Sequence, residues 1–243
     1  MGPIQILYED QNYVAIHKPA GLLVHPTKLD SKEKITAVQM LREQLQRQIL
    51  PVHRLDKPTS GVMIFAFSAL AAEKLASQFR QNSIQKKYLA LVRGHFKKEQ
   101  FLDYPLKEEL DAIADKNSSQ QRPAKEAQTN FIPVEQIEIP IMVDRYPSTR
   151  YSLVTAIPKT GRKHQIRRHL RHLNHPIIGD VAHGCGEHNT YFENRFQRRR
   201  LYLHCQEMSF FHFDDDEIVT IQSEICQDFK NTLHDLGFRY GQC

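Results

Sequence analysis

The sequence predicts an α+β or mixed α/β fold, because short strand-like segments alternate irregularly with segments of helical periodicity. The strand-like segments are rich in β-branched and aromatic residues, whereas the helical ones carry apolar residues three and four positions apart. The predicted strands are Ile4 to Tyr8, Tyr13 to His17, Gly61 to Phe67, Lys87 to Arg93, Arg150 to Ile157, Leu201 to Phe213 and Glu217 to Ile221. We expect helices to flank the sheet that these strands form.

The first predicted helix follows the third of these strands. Ser68 can cap its N-terminus, and Asn82 ends it. The residues that share one apolar face are Ala71, Ala72, Leu75 and Phe79. This stripe is expected to cover a sheet.

The second predicted helix, from Lys163 to Asn174, is strongly basic. Its apolar face comprises Ile166, Leu170 and Leu173. Arg167 and Arg171 lie on one flank of that face. The residues expected to point away from the core are His164, Arg168 and His175. The helix should therefore pack inward through its apolar residues and present cations outward.

Two connecting segments are polar. The segment from Asp115 to Glu126 is rich in Ser, Gln, Lys and Pro, which predicts an exposed loop. Four consecutive acidic residues, 214–217, separate the last two predicted strands. They lack the glycine and the spaced ligands of a calcium-binding loop, so they predict a hairpin turn instead.

The composition is that of an ordinary soluble globular protein. The chain has 243 residues, of which 40% are hydrophobic and 25% charged, and this suits one or two domains without disulfides. Its apolar runs are far shorter than the roughly 18 residues of a membrane-spanning helix, and the N-terminus lacks the layout of a signal peptide. The four cysteines form no C-x-x-C pair. We expect a cytoplasmic protein with reduced thiols and no membrane association.

Positive charge is concentrated in the second half of the chain. The formal net charge is only +5, but residues 159–175 contain six Lys or Arg, four His and no acid. A second basic cluster comprises Arg195, Arg198, Arg199 and Arg200. Such clusters are usually solvated helix faces, although two of them also suit a polyanion such as nucleic acid. Charge alone does not decide between these interpretations.

Asp56 is the first candidate for a reactive group. It lies in a polar segment, from His53 to Gly61, that leads into a predicted strand. Loops held by rigid elements commonly carry reactive side chains. An aspartate close to an arginine, here Arg54, is also commonly a structural ion pair. The segment by itself leaves both interpretations open.

Several motifs in a fixed order make the chain resemble the RluA family of pseudouridine synthases. The motifs are the opening segment 10–25, His53-Arg54-Leu55-Asp56, Lys86-Lys87-Tyr88, Gly161-Arg162-Lys163-His164-Gln165-Ile166-Arg167 and His175-Pro176-Ile177-Ile178-Gly179-Asp180. The resemblance extends from about Ile4 to about Phe238. Segments 106–116, 145–151 and 182–184 further resemble the bacterial tRNA-modifying C subgroup.

The resemblance implies a pseudouridine synthase fold, with a mixed, mainly antiparallel sheet, flanking helices and a central active-site cleft. Asp56 matches the catalytic aspartate, which acts as a nucleophile or as a base toward the ribose. Arg167 matches the cation that keeps this carboxylate ionised, and Tyr88 the tyrosine that packs on the uracil. Without the motif, Arg167 would be interpreted as a phosphate-facing arginine and Tyr88 as a core residue. The isomerisation requires no cofactor.

The same resemblance implies tRNA as the partner, with a target uridine at about position 65, on the T-stem side. Arg54 is expected to fill the space that the flipped base leaves or to contact the neighbours of that base. The residues expected to contact the RNA backbone are Arg162, Lys163, Arg168, Arg171 and Arg198 to Arg200. We expect one catalytic domain over residues 1–243, without an S4-type RNA-binding domain, acting as a monomer. The alternatives are a ribosomal RNA pseudouridine synthase and a non-catalytic RNA-binding or RNA-folding protein.

Several histidines raise the question of a metal site. His183, Cys185 and His188 are the most plausible ligands among them. Arginines surround the histidines of the basic helix, and this environment disfavours another cation. We therefore expect no metal.

Overall fold

A single large sheet forms the centre of the computed structural model, which describes residues 2–25, 35–108, 123–214 and 217–241. Its strands are β1 (Ile6–Glu9), β2 (Tyr13–Lys18), β3 (Leu50–Pro51), β4 (Ser60–Ala66), β5 (Gln85–Arg93), β6 (Gln100–Asp103), β7 (Gln128–Ile139), β8 (Thr149–Pro158), β9 (Leu203–Phe211) and β10 (Ile218–Gln222). Their order is β1-β2-β4-β9-β5-β8-β7-β6, with β3 paired to β4 and β10 to β9. The β4–β9 pair is parallel and the other pairs are antiparallel. The predicted mixed, mainly antiparallel sheet is thus confirmed.

The seven predicted strands all form, with ends within two residues of those expected. The antiparallel pairing of β9 and β10 agrees with the predicted hairpin, although Asp215 and Asp216 lie outside the described residues. Most of the predicted loop from Asp115 to Glu126 also lies outside them. Strands β3, β6 and β7 were not predicted. Much of β7 alternates exposed and half-buried residues, because it lies near the sheet edge.

Five helices lie among the described residues. They are α1 (Ala37–Leu45), α2 (Ala69–Arg80), α3 (Gln165–His172), α4 (Gly186–Phe196) and α5 (Gln227–Leu236). The prediction for α2 is confirmed, since the Ser68 side chain accepts a hydrogen bond from the Ala71 backbone and Leu75 is buried. No described helix has the length and apolar character needed to cross a bilayer.

Two apolar clusters lie against the sheet. Residues of β5 alternate between them, so that Ala90 and Val92 join one cluster while Leu89 and Leu91 join the other. Both faces of the strand are therefore buried, which explains its nearly continuous apolar sequence. The sheet forms a rigid support for the segments that leave its ends.

The parallel pairing of β4 and β9 determines where the Asp56 loop lies. Gly61 pairs with Cys205, and Tyr88 of β5 pairs with the same residue from the other side. A Cβ atom on Gly61 would lie 2.1 Å from the Cys205 carbonyl oxygen, and the φ angle of +116° also favours glycine. This close approach brings the start of β4, and the loop that leads into it, near Tyr88.

Candidate active site

Asp56 lies on the loop that connects β3 to β4. Its carbonyl accepts a hydrogen bond from the Thr59 backbone at 2.9 Å, which closes a tight turn just before the strand. Its carboxylate Oδ2 accepts a hydrogen bond from Arg167 Nη1 at 3.0 Å. The side chain remains 24% exposed, so that a substrate can reach the carboxylate.

Arg167 is the buried partner of two carboxylates. It lies in the first turn of α3, and its side chain is only 7% exposed. Its Nε and Nη2 donate to Asp180 at 2.7 and 2.8 Å, while Nη1 donates to Asp56. Burial lowers the pKa of Arg167, but the bonds to Asp180 and the charges of both carboxylates raise it above its ordinary value. The side chain points inward more than the predicted flank position suggested.

Asp180 fixes the plane of this guanidinium. Its Oδ1 also accepts hydrogen bonds from the backbone N–H groups of Ala182 and His183, at 3.0 and 2.9 Å. Burial raises the pKa of Asp180, but the bonds with Arg167 and the His183 N–H outweigh it and hold the pKa below its ordinary value. Asp180 ends the last of the family motifs, and no role was predicted for it. An aspartate after an apolar run was the signal that could have revealed it.

His164 also faces the Asp56 carboxylate. Its Nε2 lies 3.8 Å from Asp56 Oδ2, and its Nδ1 lies 3.0 Å from Nε2 of His183. His164 was expected to point away from the core, and its side chain, 20% exposed, instead faces Asp56. The residue precedes α3 with a left-handed backbone, φ 55°, which does not continue the helical periodicity used for that prediction.

Tyr88 lies on β5, close to the same carboxylate. Its ring is nearly buried, and its hydroxyl donates a hydrogen bond to the Cys205 thiol. Burial, followed by the contact with Cys205 and the charge of Asp56, raises the pKa of Tyr88 well above its ordinary value. The phenol is therefore neutral at physiological pH, so it can donate a proton in a hydrogen bond but does not act as a phenolate.

Lys18 supports the Asp56 loop through a hydrogen bond to the Lys57 carbonyl. It was not predicted as a site residue. Its Nζ is buried and donates to the carbonyls of Pro19, Leu22 and Lys57 at 2.9–3.0 Å. Burial lowers the pKa of Lys18 to about 7, while the charge of Asp56 opposes that shift. A lysine at the end of an apolar strand was the available signal.

The other predicted RNA-binding residues form a more exposed group. Arg54 is exposed, and no hydrogen bond joins it to another described residue. Arg162 donates to the Glu126 carbonyl at 2.8 Å, Arg168 to the Lys107 carbonyl at 2.9 Å, and Arg171 to the Gly184 carbonyl at 3.5 Å. Lys163 is exposed at the start of α3. The carbonyl partners of Arg162 and Arg171 carry no net charge, which suits a surface that contacts phosphates.

The three residues considered as metal ligands have separate partners. His183 contacts His164, whereas His188 bonds to the Tyr151 hydroxyl at 3.0 Å and lies 3.4 Å from Asp144. Cys185 donates to Glu187. Within the described ranges, no three side chains of His, Cys, Asp or Glu converge on one point.

The arrangement places the Asp56 carboxylate at an accessible position beside a guanidinium. Arg167 attracts the negative charge of Asp56, and Asp180 prevents the guanidinium from turning away. A carboxylate so placed can attack an electrophilic carbon or accept a proton. The neighbouring neutral phenol supplies a flat ring against which a base can pack.

Comparison with known proteins agrees with this chemistry. The model of the family described as RNA pseudouridylate synthase matches residues 12–172. Two relatives are both named tRNA pseudouridine synthase C. The one from Vibrio parahaemolyticus is 47% identical, and the match covers 90% of this chain and 90% of the relative. The one from Vibrio cholerae is 43% identical, and the match covers 97% of each chain. Human RNA Pseudouridylate Synthase Domain Containing 4 is 25% identical, with a TM-score of 0.69 over 96% of this chain and 92% of that one. The fold predicted from the motifs is therefore confirmed.

Proposed function

The chain belongs to the RNA pseudouridylate synthase family, and on this premise we propose that it isomerises a specific uridine of tRNA to pseudouridine. The relatives described above are named for tRNA, and their similarity extends over nearly the whole chain. We further propose a target at about position 65, on the T-stem side, as the motifs imply. In this proposal residues 1–243 act as one catalytic domain, as a monomer, in the cytoplasm.

The observation that carries the proposal is the accessible carboxylate of Asp56 beside a buried, oriented guanidinium. The isomerisation breaks the bond from uracil N1 to the ribose, turns the base and joins C5 to the ribose instead. The C5 proton leaves to solvent and N1 gains a proton, so that the atoms balance without a co-reactant. Asp56 acts either as a nucleophile or as the base that removes a ribose proton, and both routes require its ionised form.

The uridine must leave its base stack before it can reach Asp56. Flipping costs a few kcal/mol, which contacts made only by the flipped state must offset. Arg54 is close to Asp56 in the chain and exposed, so it can occupy the space that the base leaves. Phosphate contacts from Arg162, Lys163, Arg168 and Arg171 hold the RNA without reading its sequence.

Tyr88 is proposed to receive the flipped uracil. Its ring offers a flat apolar surface close to Asp56, and its neutral hydroxyl can assist proton movement at C5. In this proposal Tyr88, Asp56 and Arg167 act on the same flipped nucleotide.

The experiment measures release of tritium from tRNA that carries [5-³H]uridine. We expect release by the wild-type protein and a loss of at least roughly 10³-fold in Asp56→Ala, because the reacting group itself is removed. Binding of tRNA should change less than about threefold, since Asp56 is one small contact in a large interface. Circular dichroism checks that the variant is folded.

Parallel reactions with labelled ribosomal RNA test the alternative substrate. Release from ribosomal RNA but not from tRNA would assign the other RNA class. Binding without release from either pool would indicate a non-catalytic RNA-binding protein. Full activity of Asp56→Ala would contradict the role of this residue.

A further inference from the structure

A cavity of about 560 Å³ lies next to the Asp56 loop, on a side that the proposed mechanism does not use. Lys57 and Pro58 of that loop line one wall. Residues 198–201 and the start of α5, including Cys226, line another. A smaller cavity of about 210 Å³ shares Arg198, Arg199 and Arg200 with it. The volume suits a bound ligand of nucleotide size.

The lining of the larger cavity is predominantly positive. Its charged residues are Lys57, Arg198, Arg199, Arg200 and Asp228. Asp228 forms an ion pair with Arg198, and the pair of Arg199 with Glu193 is highly exposed. His17 adds no charge at neutral pH, because burial and then the charges of Arg200 and Lys18 lower its pKa. The cavity therefore has an excess of cations.

Arg200 is held in place but lacks an anionic partner. Its Nη1 donates to the Cys226 thiol at 2.6 Å and its Nη2 to the Ser60 hydroxyl at 3.3 Å. The rings of Tyr202 and Phe229 lie 5.4 and 5.0 Å from the guanidinium carbon. Its Nε is buried and has no hydrogen-bond acceptor among the described residues. No carboxylate of those residues forms an ion pair with Arg200.

The guanidinium of Arg200 is half-buried and its Nε is fully buried, which is unfavourable unless an anion compensates the charge. The planar donor array of arginine matches the oxygens of a phosphate group. Lys57 lines this cavity and directly follows Asp56, so a single RNA chain can reach both places. An RNA whose uridine lies at Asp56 thus has a phosphate within reach of Arg200.

We propose that this cavity binds a phosphate group of the substrate RNA, close to the flipped uridine. The inference rests on the proposed function and adds a specific backbone subsite to it. Arg198, Arg199 and Arg200 would then bind phosphate within a defined cavity instead of attracting RNA only through their surface charge. A free phosphate or nucleotide offers the same chemistry, and the experiment separates these sources.

The main experiment compares Arg200→Gln and Arg199→Gln with the control Arg80→Gln. Arg80 is an exposed arginine that pairs with Glu73, just as Arg199 pairs with Glu193. Unlike Arg199, it lies at the end of α2 and lines neither cavity. Each cavity variant should weaken tRNA binding about tenfold and reduce the slope of log K against log salt by about one. KM for tRNA should rise much more than kcat falls, whereas the control should match the wild type.

Arg199→Gln decides the outcome if Arg200→Gln does not fold, since Arg199 is 76% exposed. Equal affinity and equal salt slope in Arg199→Gln and Arg80→Gln would overturn the proposal. Tritium release by the wild type is measured separately, so that a failed proposed function is distinguishable from a failed subsite.

Alkylation of Cys226 by iodoacetamide, followed by peptide mass mapping, reports on occupancy of the cavity. We expect tRNA to slow this alkylation in the wild type, because Cys226 lines the cavity. Protection by inorganic phosphate or uridine monophosphate, with none by tRNA, would overturn the assignment to RNA in favour of a free anion.

Discussion

Asp180→Asn removes the charge on which the orientation of Arg167 depends. Asp180 accepts two hydrogen bonds from the guanidinium and two from backbone N–H groups. Asn can retain the oxygen at Oδ1, which accepts three of these bonds. Its amide nitrogen then faces Arg167 Nε, so that two donors oppose each other in a buried site. The substitution therefore preserves shape but replaces an attraction by a repulsion.

The expected cost to stability is about 3 kcal/mol. Breaking a buried ion pair by removing one partner typically costs ~3–5 kcal/mol. We place Asp180→Asn at the lower end, because Arg167 keeps its bond to Asp56. Urea unfolding measures the change, and with a slope of roughly 3 kcal/mol per molar the midpoint should fall by about 1 M.

Asp56→Asn is the matched control, since it removes the same charge from the other end of Arg167. Asp56 is partly exposed, and Arg167 keeps both bonds to Asp180, so we expect a change of at most about 1 kcal/mol. The effects on activity should be in the opposite order, with tritium release abolished in Asp56→Asn and reduced in Asp180→Asn. Equal destabilisation by the two substitutions would refute this division of roles.

The difference between wild type and Asp180→Asn should also depend on pH. Burial raises the pKa of Asp180 in the folded state, but the hydrogen bonds and charge of Arg167 and the His183 N–H together lower it below its ordinary value. Its contribution to stability is therefore present above the unfolded pKa of about 4 and is lost as pH falls through the lower folded pKa. Urea midpoints should differ by a constant amount from pH 5 to 8 and converge below pH 4.

Two further substitutions test the surroundings of Asp56. Tyr88→Phe retains the ring but not the hydroxyl that bonds to Cys205. We expect kcat to fall about 10- to 100-fold, while KM and the unfolding midpoint change little. An unchanged kcat would show that the hydroxyl takes no part in the reaction. Lys18→Met fills a similar volume but leaves three carbonyls without a donor. The free energy of unfolding in urea should fall by about 3 kcal/mol, and kcat should fall because the loop is displaced. Unchanged stability would show that water replaces the ammonium.

Local patterns were sufficient for much of the fold. The predicted strands carry apolar residues that pack within the sheet, and α2 has both a cap and a continuous apolar stripe. Helix α5 offered a similar signal, since Phe229, Leu233 and Leu236 follow the helical repeat and are buried, but it was not predicted. Helix α4 gave a weaker signal, with only His188 and Phe192 buried among polar residues.

Charged residues inside the protein could not be placed in the same way. Arg167 was expected to lie on the flank of a basic helix, because helical spacing places it beside the apolar stripe. Its partner is Asp180, whose position follows from the fold and not from helical spacing. Lys18 is a similar case, since its acceptors come from chain segments that meet only in the folded state. The motifs brought Asp56, Tyr88 and Arg167 together without explaining how the structure tolerates them.

The two carboxylates at Arg167 differ in a way that matters once RNA covers the site. Asp180 is already out of contact with water, so bound RNA changes its surroundings little. Asp56 is partly hydrated, and a bound base displaces that water. The loss of solvent weakens screening and strengthens the attraction between Asp56 and Arg167. In the proposed complex the carboxylate loses hydration and is attracted more strongly to Arg167, so the positions that Asp180 and the supported loop give to both partners matter most when RNA is bound.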